Sequence, residues 1–305
     1  MPMQSKWVTY KTYSGFVVRG GPRFDQPVNA ARHIDRAVYL SGQLEAANWG
    51  TVQGYDGAGM SGGILHNTAV NPRDMSQGSF FTLLARVFAG TPALITADAV
   101  NGLLSAGWHV SPDGVLRDAN GKAVSGKAIR NEFAGPNGTV PQTGPATVKA
   151  RKWAECFFNL FANPATWSAQ SSYAAEWLVN GNKPAEKSVY DHFSTGPKLD
   201  SVISLPAANL PPEIDLAMCV YHAFSVNAPG IAAKCLDPLI SKLPALTAAG
   251  FAAALITALG TRKYGNGTDS PGDGSNRYDR TRKVVWSRQD LWTPAMAMSL
   301  MPTDL

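Results

Sequence analysis

Leu44-Glu-Ala-Ala-Asn-Trp-Gly-Thr-Val-Gln-Gly-Tyr-Asp-Gly-Ala-Gly-Met-Ser-Gly-Gly-Ile-Leu-His66 is the stretch on which the fold turns. Ahead of it, Ala31, Ile34, Ala37, Val38, Leu40 and Leu44 recur at the spacing of one helix face, so residues 28–45 read as a helix that gives out at Glu45. Behind that glutamate the pattern changes. Residues 50–56, the Gly-rich turn 57–59 and residues 60–66 read as strand, turn, strand.

Working outward, residues 1–28 alternate loosely and break at Gly20-Gly-Pro22, which predicts an N-terminal arm with one or two short strands. Helical spacing returns at 79–88, strongly at 147–180, and again at 186–193, 212–227, 230–242 and 246–260. Residues 91–145 read as mixed short pieces and 261–276 as a polar, Gly-rich loop. Residues 277–288 combine basic and aromatic side chains, fitting a solvated tail that packs one tryptophan, or a basic rim for an anionic polymer. The expected fold class is α+β, mostly α, with one small β-hairpin. The expected division is an arm (1–28), a main domain of two lobes (29–260, as about 29–145 and 146–260), and a basic C-terminal extension (261–305).

With 305 residues, 45% of them hydrophobic and only 16% charged, the chain can bury a substantial core, which excludes wholesale disorder. Its net charge of +5 favours an anionic partner, but no nucleic-acid module is recognisable. Cys156, Cys219 and Cys235 are too few and too irregular for a disulfide scaffold or structural zinc, though a Cys219–Cys235 bridge stays open. The five histidines, His33, His66, His109, His192 and His222, form no ligand-spaced pair, so neither metal nor cofactor is expected. The segment 113–121 reads as a hairpin turn, not a calcium loop. The N-terminus lacks the apolar core of a signal peptide, and the apolar run 246–260 is too short to cross a bilayer. A chain made in the cytoplasm without a membrane span is expected.

The chemistry-bearing residues gather in the opening stretch. A glutamate at a helix C-terminus, beside Leu44 and Trp49, is expected to hold its proton more tightly, because the macrodipole and desolvation both disfavour its charge. That is what a general acid needs. Asp56 follows on the first strand, where a hairpin folding over the helix end would bring the two carboxylates to opposite sides of a cleft. Paired carboxylates are the machinery of glycoside hydrolysis. Gln53, Tyr55 and Asn67 are candidates to bind sugar hydroxyls, and His66 to line the groove wall.

Helix ending in Glu, hairpin bearing Asp and a hydroxyl residue, Gly-containing strand and helix: this layout resembles the lysozyme-like superfamily, and the Val-Gln-x-Tyr-Asp-x-Ala-x-Met-Ser-x-Gly run is most similar to its chitosanase-like and phage-type branch. The resemblance implies a lysozyme-like helical domain with the hairpin at the active-site cleft. It implies Glu45 as general acid, Asp56 as the carboxylate that orients water, and Ser61 as the hydroxyl that helps hold it. Chitosan is polycationic and would call for surplus carboxylates, whereas peptidoglycan carries lactyl and peptide carboxylates that suit a basic chain. The expectation is therefore a muramidase-like hydrolase acting on peptidoglycan or a related amino-sugar polysaccharide, inverting, and reaching the wall after lysis or through a delivery apparatus. A chitosanase or lytic transglycosylase on the same fold stands as the alternative. Two rivals remain. Gly59-Met-Ser61-Gly-Gly63 fits a nucleophile elbow, with His192 or His222 and Asp191 or Asp215 downstream, which would make a serine esterase or amidase. A non-catalytic wall-binding protein on this fold is the other.

Overall fold

The structure, a computed structural model, describes residues 2–10, 13–25, 30–54, 57–96, 102–103, 107–179, 184–195, 202–226, 228–261 and 273–293. By contact the chain divides into two units, each discontinuous in sequence: Met1–Phe24 with Glu45–Tyr173, and Asp25–Leu44 with Ala174–Leu305. This partition differs from the expected arm, two lobes and extension. The arm's strands join the sheet of the first unit, and the 25–44 segment sorts with the C-terminal half.

The first unit holds an antiparallel meander of five strands in sequence order, β1 (Gln4–Tyr10), β2 (Tyr13–Arg19), β3 (Val52–Gln53), β4 (Ser61–Gly62) and β5 (Asn67–Thr68). The expected single hairpin is thus three short strands added to the long β1–β2 pair. Val17 and Val18 of β2 stand opposite Gln53 and Val52 and make the join. Two-residue strands carry no readable period, which is why the extra strand was missed. Phe16, Val17 and Val18 are buried, and β2 packs on α4 (Pro145–Ala162).

The helix α2 (Ser79–Gly90) begins where its apolar spacing predicts. Residues 91–145 contain a helix that the sequence reading overlooked, α3 (Gly126–Ala134), started by Ser125, whose hydroxyl accepts from the Ala128 N–H at 3.3 Å. A second small sheet, β6 (His109–Val110) with β7 (Leu116–Arg117), closes through Gly114 in the left-handed region, so the 113–121 segment is hairpin and turn as expected. The apolar period of 147–180 is two helices, not one. α4 stops at Asn163, whose side chain accepts from the Ala165 N–H, and Pro164 cannot continue it; α5 (Trp167–Val179) then starts afresh. One face of α4 carries Trp153, Phe157 and Phe161 into an aromatic cluster with Phe80, Phe81 and Phe133. Phe157 meets Phe80 edge-on at 4.8 Å and Phe133 at 5.8 Å.

The second unit is helical: α1 (His33–Glu45, up to Leu44), the end of α5, α6 (Pro184–Phe193), α7 (Pro212–Ser225), α8 (Pro229–Ile240), α9 (Ala248–Gly260) and α10 (Asp273–Ser287). α7 is buried from Ile214 through Ser225, so it is the centre of this unit, with α8 and α9 packed on it. α10 corrects the reading of 273–276 as part of a loop and of 277–288 as a tail, while residues 262–272 of the expected loop lie outside the described residues. Its Gly, Asp, Ser and Asn residues hid a helix that tertiary packing holds, with Thr281 and Val285 buried. Trp286, the tryptophan of that segment, is only half-buried, whereas Trp292 beyond it is buried. Arg280 donates to the Leu44 carbonyl, and Arg288 pairs with Asp290 at 2.7 Å and lies 4.5 Å over the Tyr39 ring. These two cations thus have partners within their own unit. No helix among the described residues is long and apolar enough to cross a membrane.

Candidate functional site

Glu45 is the last residue of α1, where the sequence places it. Two residues on, Ala47 adopts φ +57, a left-handed conformation unusual for a residue with a Cβ, which turns the chain out of the helix. The Ala46 carbonyl accepts from Thr51 Oγ1 at 3.2 Å and that of Ala47 from the Phe24 N–H at 3.1 Å. Trp49 then stacks on Trp167 at 4.8 Å with rings 4° from parallel. The helix end is therefore fixed by packing, and with it the glutamate. Its side chain is 7% exposed.

The sheet supplies the facing residues. Gln53 of β3 stands opposite Ser61 of β4, and Ser61 opposite Thr68 of β5, so these three side chains share one face. Between β4 and β5 the chain turns through Gly63 (φ +75) and His66 (φ +49), closed by the His66 N–H donating to the Gly63 carbonyl at 3.1 Å. This turn delivers the imidazole to the carboxylate: His66 Nδ1 lies 3.9 Å from Glu45 Oε2. Gln53 Nε2 lies 3.4 Å from each ring nitrogen of His66.

The structure thus brings together Glu45, His66 and Gln53, with Ser61, 2% exposed, beside Gln53 on the sheet. Asn67 belongs elsewhere. It pairs with Gly62 on the opposite face of the sheet, is buried, and lies near Gln170 under the Gly63 turn. Asp56 and Tyr55 lie outside the described residues; their flanks are anchored, with the Gly54 N–H donating to the Phe16 carbonyl at 2.7 Å.

A nucleophile elbow needs a strand, a sharp turn and a helix. Ser61 instead sits inside a strand paired on both sides, and the chain after it turns into β5. Of the partners offered for it, Asp191 is on α6 and accepts from Lys187 at 2.6 Å, His192 follows it on the same helix, and His222 and Asp215 belong to a different group in the second unit. There His222 Nε2 and Tyr190 Oη are 2.9 Å apart, Tyr190 Oη and His33 Nε2 2.9 Å, and His33 Nδ1 and Asp215 Oδ1 2.7 Å.

That group escaped the sequence reading because His33 and Asp215 are 182 residues apart. Their one-dimensional signal was the i, i+4, i+7 spacing of Asp215, Cys219 and His222 on α7. His33, Asp215 and Cys219 offer ligand atoms within 4.8 Å of one another, the metal-ligating combination that residue spacing alone did not reveal. The Asp215 oxygens are engaged, however: besides His33, Arg36 donates to Oδ2 at 2.9 Å and Trp292 at 3.2 Å. Arg36 puts positive charge where a cation would have to bind. Burial pushes the Cys219 thiol and the Tyr190 hydroxyl well above their ordinary pKa values, so both are held neutral. None of the three cysteines is in a disulfide.

No protein-family model, curated protein or solved structure matches the chain.

Proposed function

We propose that the chain is a glycoside hydrolase of lysozyme-like layout that cleaves peptidoglycan as a muramidase. The observation that carries the reading is Glu45: a nearly buried carboxyl at a helix end, met by a short antiparallel sheet that aligns Gln53 and Ser61 and turns His66 toward it. The order helix, three short strands, helix supports the resemblance to the lysozyme-like superfamily. Glu45 donates its proton to the glycosidic oxygen, and the bond's electron pair leaves with that oxygen. Asp56 and Ser61 orient a water; as it attacks the anomeric carbon from the opposite face its proton passes to the Asp56 carboxylate, giving inversion. The net charge of +5 suits a wall polymer rich in carboxylates.

The test is lysis of purified peptidoglycan, followed by turbidity and zymogram, with wild type beside Glu45→Gln. Mass spectrometry of the fragments identifies the bond from the reducing end. Loss of lysis in the variant with ordinary reducing ends supports the proposal. Equal lysis by both proteins sinks it. An anhydro-sugar product replaces hydrolysis with lytic transglycosylation, and wall binding without cleavage leaves a binding protein.

A further inference from the structure

We propose that His66 is a positioning residue for Glu45: its imidazole N–H holds one carboxyl oxygen and stabilises the carboxylate left when the other delivers its proton. This rests on the glycosidase reading above.

Three elements converge on the imidazole. α1 ends on Glu45, β3 presents Gln53, and the β4–β5 turn carries the ring itself. The turn does so at a cost. A residue with a Cβ at φ +49 is disfavoured against the ordinary helical region, and glycine would fill the position without penalty. Among the described residues only Ala47, His66 and Met75 are such positions, and the first two lie at this site. Backbone strain concentrated where a side chain meets a catalytic candidate is evidence that the side chain matters.

The neighbours also assign the proton. The Gln53 amide nitrogen can only donate, so the ring nitrogen that accepts from it carries no hydrogen. Nδ1 lies 3.9 Å from Oε2 of the Glu45 carboxyl, beyond hydrogen-bond distance, and once that carboxyl has given up its proton both of its oxygens can only accept. Gln53 is equidistant from both ring nitrogens, so the tautomer proposed is the one that serves an ionised carboxylate, with Nδ1–H toward Oε2 and Nε2 left to accept from Gln53. With the His66 N–H facing Oε2, the acidic proton is placed on Oε1. When Oε1–H transfers to the glycosidic oxygen, the full negative charge of the carboxylate develops beside the His66 N–H, which keeps its own proton. The contact is weaker before transfer than after it. At 3.9 Å the two groups are not hydrogen-bonded, so the interaction gains strength only as charge develops on the carboxylate, which favours the transition state over the bound substrate.

The experiment uses the full chain with purified peptidoglycan and compares wild type, Glu45→Gln, His66→Gly and His66→Asn. His66→Gly removes the ring and relieves the strained backbone, so it tests the role without unfolding the turn. The expected result is a melting temperature at or above that of wild type, kcat lower by about 10- to 100-fold and KM within about twofold. His66→Asn, which tolerates the left-handed conformation and offers a shorter N–H, recovers part of the loss. A His66→Gly variant with near wild-type kcat overturns the proposal, as does one whose loss lies in KM. If Glu45→Gln is inactive while His66→Gly is active, the glycosidase reading stands and only the role of His66 falls. Lysis by Glu45→Gln, or none by wild type, removes both.

Discussion

His33 Nδ1 and Asp215 Oδ1 lie 2.7 Å apart with both side chains almost wholly buried, joining the first turn of α1 to the central helix of the second unit. Asp215 also receives Arg36 and Trp292, so one carboxylate ties three elements together. Replacing it by alanine removes the carboxylate that His33 and the Trp292 N–H face and the counter-charge of the Arg36 guanidinium, which keeps only the Ala30 and Leu291 carbonyls. Asp215→Ala is expected to lower stability by about 3–5 kcal/mol, the cost of removing one member of a buried ion pair. Urea denaturation should show a lower midpoint at unchanged slope.

Phe157 is the ring that the aromatic cluster of the first unit surrounds, touching Phe80, Phe133, Trp153 and Phe161. Phe157→Ala opens a cavity that four stiff rings cannot fill by relaxing. A loss of about 3–5 kcal/mol is expected, read from thermal or chemical unfolding, whereas Phe157→Leu should lose less.

Gly62 links this core to the candidate site, because it follows Ser61 on β4 and lies against two rings of the cluster. A Cβ there would stand 2.8 Å from Phe161 Cε2 and 3.1 Å from Phe80 Cε2. Gly62→Ala must lift the strand or displace the rings, at about 1–3 kcal/mol. Because Gln53 and Ser61 are paired through that strand, the lytic activity proposed above should fall as well, at a temperature where circular dichroism reports a folded protein.

The cysteines differ in reactivity for a stated reason. The thiolate is the nucleophile, and burial pushes the Cys219 thiol so far up that the native protein holds almost none of it. Cys156 is only half buried. With a disulfide-exchange reagent, Cys156 should be labelled fastest, and faster still as pH rises from 7 to 9. Cys219 should stay unlabelled until denaturant is added, and peptide mapping of the adducts would check both.

Helices with a clean apolar face were legible in the sequence: α2, α7, α8 and α9 begin and end within a few residues of where the 3.6-residue period puts them. β3, β4 and β5 were legible only as a region, since pairs of residues have no period and their order depends on Val17 and Val18 far upstream. α10 was hidden because its own residues are poor helix formers and burial of Val285 and Thr281 decides the matter. At the candidate site, Glu45 at a helix end was readable. The face on which Asn67 falls was not, because one step of register moves a side chain across the sheet. The meeting of His66 with Glu45 needed the left-handed turn at His66, which no composition rule announces.

The same His33–Asp215 pair sets a clock on synthesis. α1 emerges from the ribosome with its buried face complete, but the aspartate it needs follows 182 residues later. At 5–20 residues per second the helix waits about 10–40 s for α7. The first unit, finished by Tyr173, can condense within that wait, while Ile34, Val38 and Leu40 remain uncovered. For this chain the dangerous interval in the cell is the delay between its two halves, and a chaperone that shields 33–44 would raise the yield of folded protein without touching its final stability.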